Sequence, residues 1–296
     1  MQKTSIALFM AFLCAFTAAG YALVIHSAHG NEAISRFLLW SPASAALCTC
    51  LVLRIPLGTL GWDWPQRRFL RLAYFLPLIY AGPVYLSTWL AVRGSFSLRS
   101  FETAMAVVYG FERWATWGTF AIALPMSFTV TVISACTWAL GQEIGWRGFL
   151  FPRLQRWCGF HGACLTSGVL WAWHLPGLLW ADHNAGAARV YAIACFTIGI
   201  LAMSYIMGYL RVRSGSMWPC VLLRATHKSF IEGIFDPLTA PVGWAKYITS
   251  EFGIGIALAV AIAATIIISI SRPSQVTSLD VEISPERTNG RYQFNG

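Results

Sequence analysis

The chain of 296 residues carries 21 basic and 12 acidic side chains, and charged residues make up only 11% of it, where a soluble domain carries roughly 25%. Hydrophobic residues make up 57% and the mean hydropathy is +0.59. This composition excludes an ordinary soluble globular protein, a disordered chain and a disulfide scaffold, and it predicts a chain that lies in lipid.

Eight stretches are long and apolar enough to cross a membrane, which takes about 20 mostly apolar residues. In chain order they cover about residues 5–27, 34–54, 69–92, 118–141, 161–181, 189–211, 216–235 and 251–271. The first run follows Lys3 like a signal sequence, but it is long for one and has a poor cleavage site, so we interpret it as a retained anchor. The predicted fold is therefore all-α: a polytopic membrane helix bundle of about eight transmembrane helices, with residues 1–271 forming one integral membrane domain.

Two segments are not predicted to span the membrane. Residues 94–117 are expected to lie along the interface as an amphipathic stretch, because aromatic side chains alternate there with charges. The aromatic residues are Phe96, Phe101, Phe111, Trp114 and Trp117. Residues 272–296 are polar and contain Pro, Ser, Asn and Gly, so they are predicted to form a flexible cytoplasmic tail.

Basic residues are distributed unequally between the two ends of the predicted spans. One end has ten: Lys3, Arg54, Arg67, Arg68, Arg71, Arg153, Arg156, Arg211, Arg213 and Arg272. The other has six: Arg36, Arg93, Arg99, Arg113, Arg189 and Lys246. This bias predicts that both termini are cytoplasmic. It also explains the net charge of +9 better than nucleic-acid binding does, so no nucleic-acid partner is expected.

Ionisable residues at span depth are costly and usually face a protein interior or a wet cavity, which makes them candidates for a site. The fourth span closes on Gln-Glu-Ile-Gly-Trp-Arg-Gly-Phe at residues 142–149. Glu143 and Arg147 are four residues apart, so their side chains meet on one helix face. A local salt bridge at the membrane boundary would also explain this pair.

Two more polar stretches follow in the later spans. His174 lies within Trp-Ala-Trp-His-Leu-Pro at residues 171–176, where a hydrogen bond between helices is an alternative role. The seventh span begins with Ser-Met-Trp-Pro at residues 216–219 and continues to Arg224 and Lys228. These two side chains place two positive charges on one helix face.

Together, and in this order, the three stretches resemble the CPBP family, which is related to the type II CAAX prenyl endopeptidase and is also called the Abi family. The resemblance covers about residues 118–235. It implies an eight-helix metallo-endopeptidase of a bacterial inner or plasma membrane, with a polar cavity open to the cytoplasm. It also implies that a glutamate activates water, that two histidines hold a metal such as zinc or the water, and that an asparagine stabilises the oxyanion.

The chain departs from this family pattern at three of the six site positions. Gln142 stands where the family has its proposed base, and a carboxamide cannot accept a proton from water at neutral pH. Arg224 replaces the second histidine, and a guanidinium is not a metal ligand. Lys228 replaces the asparagine. The matching residues are Glu143, Arg147 and His174.

We therefore expect a catalytically impaired hydrolase-family member, a pseudoenzyme without a cofactor, that binds a peptide or a membrane-associated protein in the lipid bilayer. One alternative is an active metallo-endopeptidase in which Glu143 is the base and His174 holds zinc. His227, which is rotated by about 60° from Arg224 around the helix, is a further candidate for that site. Another alternative is a transporter or lipid-binding protein with these charges along its pathway, although the sequence has no sign of paired half-helices in repeated halves.

The replacement of a histidine by Arg224 also leads to a structural prediction. A buried charge is tolerated only when it is paired, so we expect Arg224 to take the place of the metal and pair with Glu143. Arg147 would share this carboxylate, with one oxygen for each arginine. Lys228 would depend on water in the cavity or on a backbone carbonyl.

Overall fold

The computed structural model describes residues 2–26, 32–110, 116–170 and 187–270. Within these ranges the chain is all-α. The helices are α1 Gln2–His26, α2 Glu32–Val52, α3 Arg67–Ala91, α4 Leu98–Tyr109, α5 Thr116–Phe128, α6 Val130–Glu143, α7 Phe151–Leu170, α8 Arg189–Ser214, α9 Trp218–Phe230 and α10 Ile254–Ile270. Shorter helical turns are the 3₁₀ turn Leu57–Leu60, the one-turn helix Ala245–Ile248, and the π-helical turns Ile144–Leu150 and Ile231–Phe235.

Helices long and apolar enough to cross a membrane recur along the described chain. Four such stretches are Gln2–Leu23, Arg67–Ala91, Trp117–Leu170 and Arg189–Ser214, and two shorter apolar helices are Phe37–Val52 and Ile254–Ile270. They overlap the predicted spans and confirm a polytopic membrane helix bundle, whereas the number of eight spans stays a prediction. Residues 171–181 of the fifth predicted span and the tail at 272–296 lie outside the described residues.

The fourth predicted span consists of two helices. Thr129 leaves the helical conformation, with φ −122° and ψ −77°, so that α5 ends before it and α6 begins after it. The Thr129 hydroxyl donates a hydrogen bond of 2.8 Å to the carbonyl of Pro125 one turn earlier. Hydropathy alone did not predict this break because apolar residues continue on both sides of it.

Helix α9 lies at the centre of the described bundle. One cluster of buried apolar side chains joins it to α3, α8 and α10, and a second joins it to α4, α5 and α6. A third cluster packs α1 and α2 onto the first π-helical turn and α7, and there the stacked rings of Phe9 and Phe149 have centroids 5.2 Å apart. Much of α9 is therefore surrounded by other helices.

The segment predicted to lie along the interface contains helix α4. Phe101 and Met105 are buried against α5 and α6, so one face of α4 packs on the bundle. Phe96 and Trp117 are exposed, whereas Phe111 and Trp114 lie outside the described residues. The placement of this segment relative to a membrane surface stays a prediction.

Candidate active site

The first motif lies at a junction between an α-helix and a π-helical turn. Helix α6 ends at Glu143, and the turn that follows carries Arg147. Gly145 is required there because a Cβ atom would lie 2.5 Å from the carbonyl oxygen of Pro42 in α2. All residues of this turn are buried. Such π-helical turns occur frequently at functional sites.

Glu143 accepts hydrogen bonds from two arginines. Arg224 Nη1 and Arg147 Nη1 each lie 3.3 Å from Glu143 Oε1, and Arg147 Nη1 is also 3.3 Å from Oε2. The Glu143 side chain is 0% exposed, and the Arg224 side chain 16%. The predicted pairing of Arg224 with Glu143 is therefore confirmed. The predicted division of one oxygen to each arginine is wrong, because both arginines donate to Oε1.

Gln142 is buried beside Glu143. Its Oε1 atom has no hydrogen-bond partner among the residues that the structure describes. A buried amide oxygen without a partner is costly, so this atom marks a place where water or a bound group could be accommodated. As an amide, it can accept a hydrogen bond from water but cannot take its proton.

Arg211, which lies in α8, is hydrogen-bonded to the backbone of the first motif. Its Nε atom donates a hydrogen bond of 2.8 Å to the carbonyl of Arg147. The guanidinium also lies against Gly61, where a Cβ atom would be only 2.6 Å from Arg211 Nη2. Sequence reasoning counted Arg211 only as a topology signal, and the chain gives no spacing that would connect it to Arg147.

Lys228 forms an ion pair that the sequence analysis missed. Its Nζ lies 2.6 Å from both carboxylate oxygens of Glu232, so the expectation that it depends on water or a backbone carbonyl is wrong. The physical reason is the spacing, because side chains four residues apart meet on one helix face, and this signal was present in the sequence. The Lys228 side chain is 64% exposed, in contrast to the buried Glu143.

His227 lies next to this pair but contacts a different helix. Its Nδ1 atom is hydrogen-bonded to the hydroxyl of Tyr80 in α3. Tyr80 is buried, so the histidine ring is held toward α3. No sequence signal connects two residues this far apart, and Tyr80 was not predicted.

An acidic residue also missed by sequence reasoning follows the second π-helical turn. Tyr85 donates a hydrogen bond of 2.5 Å to Asp236 Oδ1 and accepts one of 2.8 Å from the backbone N–H of Ser250. Burial, and to a lesser extent the nearby Glu232 carboxylate, raise the pKa of Asp236 to about 7, against the hydrogen bond from Tyr85, which lowers it. Tyr85 of α3 thus connects Asp236 with the segment before α10.

The described site residues do not fit a zinc ion. Zinc in proteins takes about four Cys, His, Asp or Glu ligands, and the described residues contain no group of three such side chains placed to hold a metal. Arg224 instead places a guanidinium nitrogen against the Glu143 oxygen that a metal would need. His174 lies outside the described residues, so its role stays a prediction.

The arrangement therefore clamps a carboxylate between two guanidinium groups. A water molecule approaching Glu143 Oε1 would have to compete with both arginines for its lone pairs. From this buried contact, the polar side chains continue along α9 through Arg224 to the exposed Lys228–Glu232 pair.

Comparison with protein-family models identifies the region that contains these residues. The model described as type II CAAX prenyl endopeptidase Rce1-like matches residues 123–230. The matched region runs from α5 to the end of α9 and includes all seven candidate site residues: Gln142, Glu143, Arg147, His174, Arg224, His227 and Lys228. No curated protein matches the chain. The predicted family resemblance is therefore confirmed for residues 123–230, which match the type II CAAX prenyl endopeptidase Rce1-like family model.

Proposed function

We propose that this protein is a catalytically impaired member of its family that binds a peptide or a membrane-associated protein instead of cleaving it. The observation that carries the proposal is the hydrogen bonding of Arg224 and Arg147 to the same oxygen of Glu143. Gln142 supplies no alternative base.

A polar cavity is proposed as the binding site for this partner. Lys228 lies ten residues after the start of α9, or about 15 Å along the helix axis. An exposed ion pair at that depth is costly against lipid and usually faces a water-filled space. The increase in exposure from 16% for Arg224 to 64% for Lys228 fits a cavity that becomes wetter along α9.

We further propose that purified protein holds no stoichiometric zinc, because Arg224 stands where the family resemblance implies a ligand. Metal analysis of the full-length protein, purified without chelator, tests this. One zinc per chain that is lost in His174→Ala would contradict the proposal and favour the alternative of an active metallo-endopeptidase with Glu143, His174 and His227.

A peptidase assay tests the main proposal directly. Prenylated and unprenylated C-terminal peptides are incubated with wild-type protein and with Glu143→Gln, and products are analysed by mass spectrometry. We expect no cleavage by either protein. Cleavage by the wild type that disappears in Glu143→Gln would show an active endopeptidase. Retained binding of the prenylated peptide without cleavage would support the impaired, partner-binding form.

The membrane location is proposed to be a bacterial inner or plasma membrane with both termini in the cytoplasm. The structure brings several segments with predicted cytoplasmic basic residues close together. Lys3 lies 5.8 Å from the ring centroid of Trp157, and the backbone N–H of Met217 donates to the carbonyl of Gly61. These contacts support a shared side for the start of α1 and the 53–66, 153–157 and 211–218 segments.

A further inference from the structure

One end of α3 and the loop before it form an exposed surface of arginines and tryptophans. We call it the arginine–tryptophan surface, and its members are Arg54, Trp62, Trp64, Arg67, Arg68 and Arg71. We propose that this surface binds the anionic headgroups of phospholipids in the adjacent membrane leaflet. The proposal concerns a region outside the candidate active site and does not depend on whether that site is impaired.

The charges on this surface are not compensated within the described protein. Arg67, Arg68 and Arg71 lie in the first five residues of α3, and its first turn has no acidic residue. The N-terminus of a helix already carries a partial positive charge, and like charges four residues apart repel each other. Among the residues described, no salt bridge involves these arginines or Arg54. An anionic surface would relieve this repulsion.

The acidic residue in the loop before α3 does not neutralise the arginines of this surface. Asp63 is the acidic side chain between residues 53 and 66, and it interacts electrostatically with Arg211 of α8. The positive charges at the start of α3 therefore remain available to an external anion. Clusters of four or more basic residues next to the cytoplasmic end of a transmembrane helix are typical of binding to anionic lipids.

The exposed tryptophans favour a lipid headgroup over a soluble anion. Trp64 is 71% exposed and Trp62 is 37% exposed, and Leu57 beside them is also exposed. Tryptophan is enriched at membrane–water interfaces, because its ring is apolar while its N–H group is polar. A phospholipid offers both a phosphate for the arginines and acyl carbons for the rings, whereas free phosphate offers only the first.

The loop is held in place by the rest of the fold, so the surface exists before lipid binds. Trp218 Nε1 at the start of α9 donates a hydrogen bond of 2.8 Å to the carbonyl of Trp62. The backbone N–H of Met217 donates one of 2.9 Å to the carbonyl of Gly61, and Leu60 is fully buried. Lipid binding here should therefore stabilise the whole bundle, which makes thermal stability a suitable measurement.

The experiment uses full-length protein in a neutral detergent. Its melting temperature is followed while phosphatidylglycerol or phosphatidylcholine is added. The wild type is compared with Arg67→Gln/Arg71→Gln and with the matched control Arg93→Gln/Arg99→Gln, which removes two exposed arginines near the other end of α3. We expect phosphatidylglycerol, but not phosphatidylcholine, to raise the melting temperature of the wild type and the control. The half-saturating concentration should rise by roughly fivefold for each arginine removed from the surface, or about 25-fold for both.

Three outcomes would overturn the proposal. The first is equal stabilisation of the two double variants by phosphatidylglycerol. The second is stabilisation by inorganic phosphate alone at the same concentration, which would show a simple anion site. The third is an arginine-dependent dimer without any lipid effect, which would show that a second copy covers the surface. If Arg67→Gln/Arg71→Gln does not fold, wild type at 50 mM and 500 mM salt replaces it, because screening should abolish the phosphatidylglycerol effect.

Discussion

Arg224 Nη1 lies 3.3 Å from Glu143 Oε1, although 81 residues separate the two in the chain. The contact connects the centre of α9 to the end of α6 inside the bundle. By the resemblance described in the sequence analysis, a histidine that holds metal is expected at the position of Arg224, and here that position forms an ion pair. The first prediction concerns the energy of this pair.

We expect Arg224→Ala to lower the free energy of unfolding by about 3 kcal/mol, since removal of one partner of a buried ion pair typically costs 3–5 kcal/mol and Arg147 still compensates Glu143. The double variant Glu143→Gln/Arg224→Gln should cost less than the two single changes added together, by about 0.5–3 kcal/mol. The free energies of unfolding of the wild type, Glu143→Gln, Arg224→Gln and the double variant, measured in one detergent, give this difference. Lys228→Gln is the control, because its exposed pair should contribute less than about 1 kcal/mol. Strictly additive free energies would show that Glu143 and Arg224 do not interact.

The second prediction concerns restoration of catalysis. Arg224→His alone should not produce proteolysis, because Gln142 still lacks a basic oxygen. The triple change Gln142→Glu/Arg224→His/Lys228→Asn restores the family pattern and should produce zinc-dependent cleavage of a prenylated peptide. A peptidase assay with and without chelator compares the two variants. Cleavage by Arg224→His alone would contradict the assignment of Gln142 as the missing base.

The third prediction tests the close contact between α2 and the first π-helical turn. Gly145→Ala should destabilise the protein, because the new Cβ atom would lie 2.5 Å from the carbonyl oxygen of Pro42 and the backbone cannot move away easily. Gly82→Ala in α3 is the matched control, since no atom lies within 4 Å of its new Cβ atom. That change should be neutral or should stabilise by up to about 1 kcal/mol through helix propensity. Equal melting temperatures for the two variants would argue against the contact.

The helices and the Glu143–Arg224 pair could be predicted from the sequence, because both depend on features that are visible along the chain. Apolar runs locate helices, and the cost of an unpaired buried charge requires Arg224 to have a partner. The break at Thr129 and the two π-helical turns were not predicted, because they interrupt hydrogen bonding without interrupting hydropathy. The contact of His227 with Tyr80 depends on how α3 packs against α9, which a single sequence does not encode in any spacing. The Lys228–Glu232 pair could have been predicted from the sequence, because the two residues are four positions apart on one helix face.

The fourth prediction concerns topology. Gly58→Cys should be cytoplasmic and Arg93→Cys should lie on the opposite side, because the basic residues favour the side of Gly58. Gly58 is suitable because it is exposed, with no atom within 4 Å of a new Cβ atom, whereas nearby Leu60 is buried. A membrane-impermeant maleimide applied to intact cells should label only Arg93→Cys, in a background where the exposed cysteines Cys14 and Cys158 are replaced by serine. Efficient labelling of Gly58→Cys before permeabilisation would reverse the proposed orientation.

The fifth prediction concerns the pH dependence of stability at Asp236. Burial raises the pKa of this carboxyl from 3.8 to about 7 in the folded protein, so between these values the folded state binds more protons than the unfolded state. Stability must then fall as pH rises from about 4 to about 7 and level off above that range. Asp236→Asn removes this titration and can still accept the hydrogen bond from Tyr85, so its melting temperature should fall less over the same range.

A second variant checks that the effect comes from Asp236 and not from its acidic neighbours. Tyr85→Phe removes the donor that lowers the pKa of Asp236, so the loss of stability should continue to a higher pH than in the wild type. Glu232 and Glu251 remain in both variants. Melting temperatures in one detergent between pH 4.5 and 8.5 provide the profiles. Parallel curves for the wild type and Asp236→Asn would show that this carboxyl has the same proton affinity in the folded and unfolded chain.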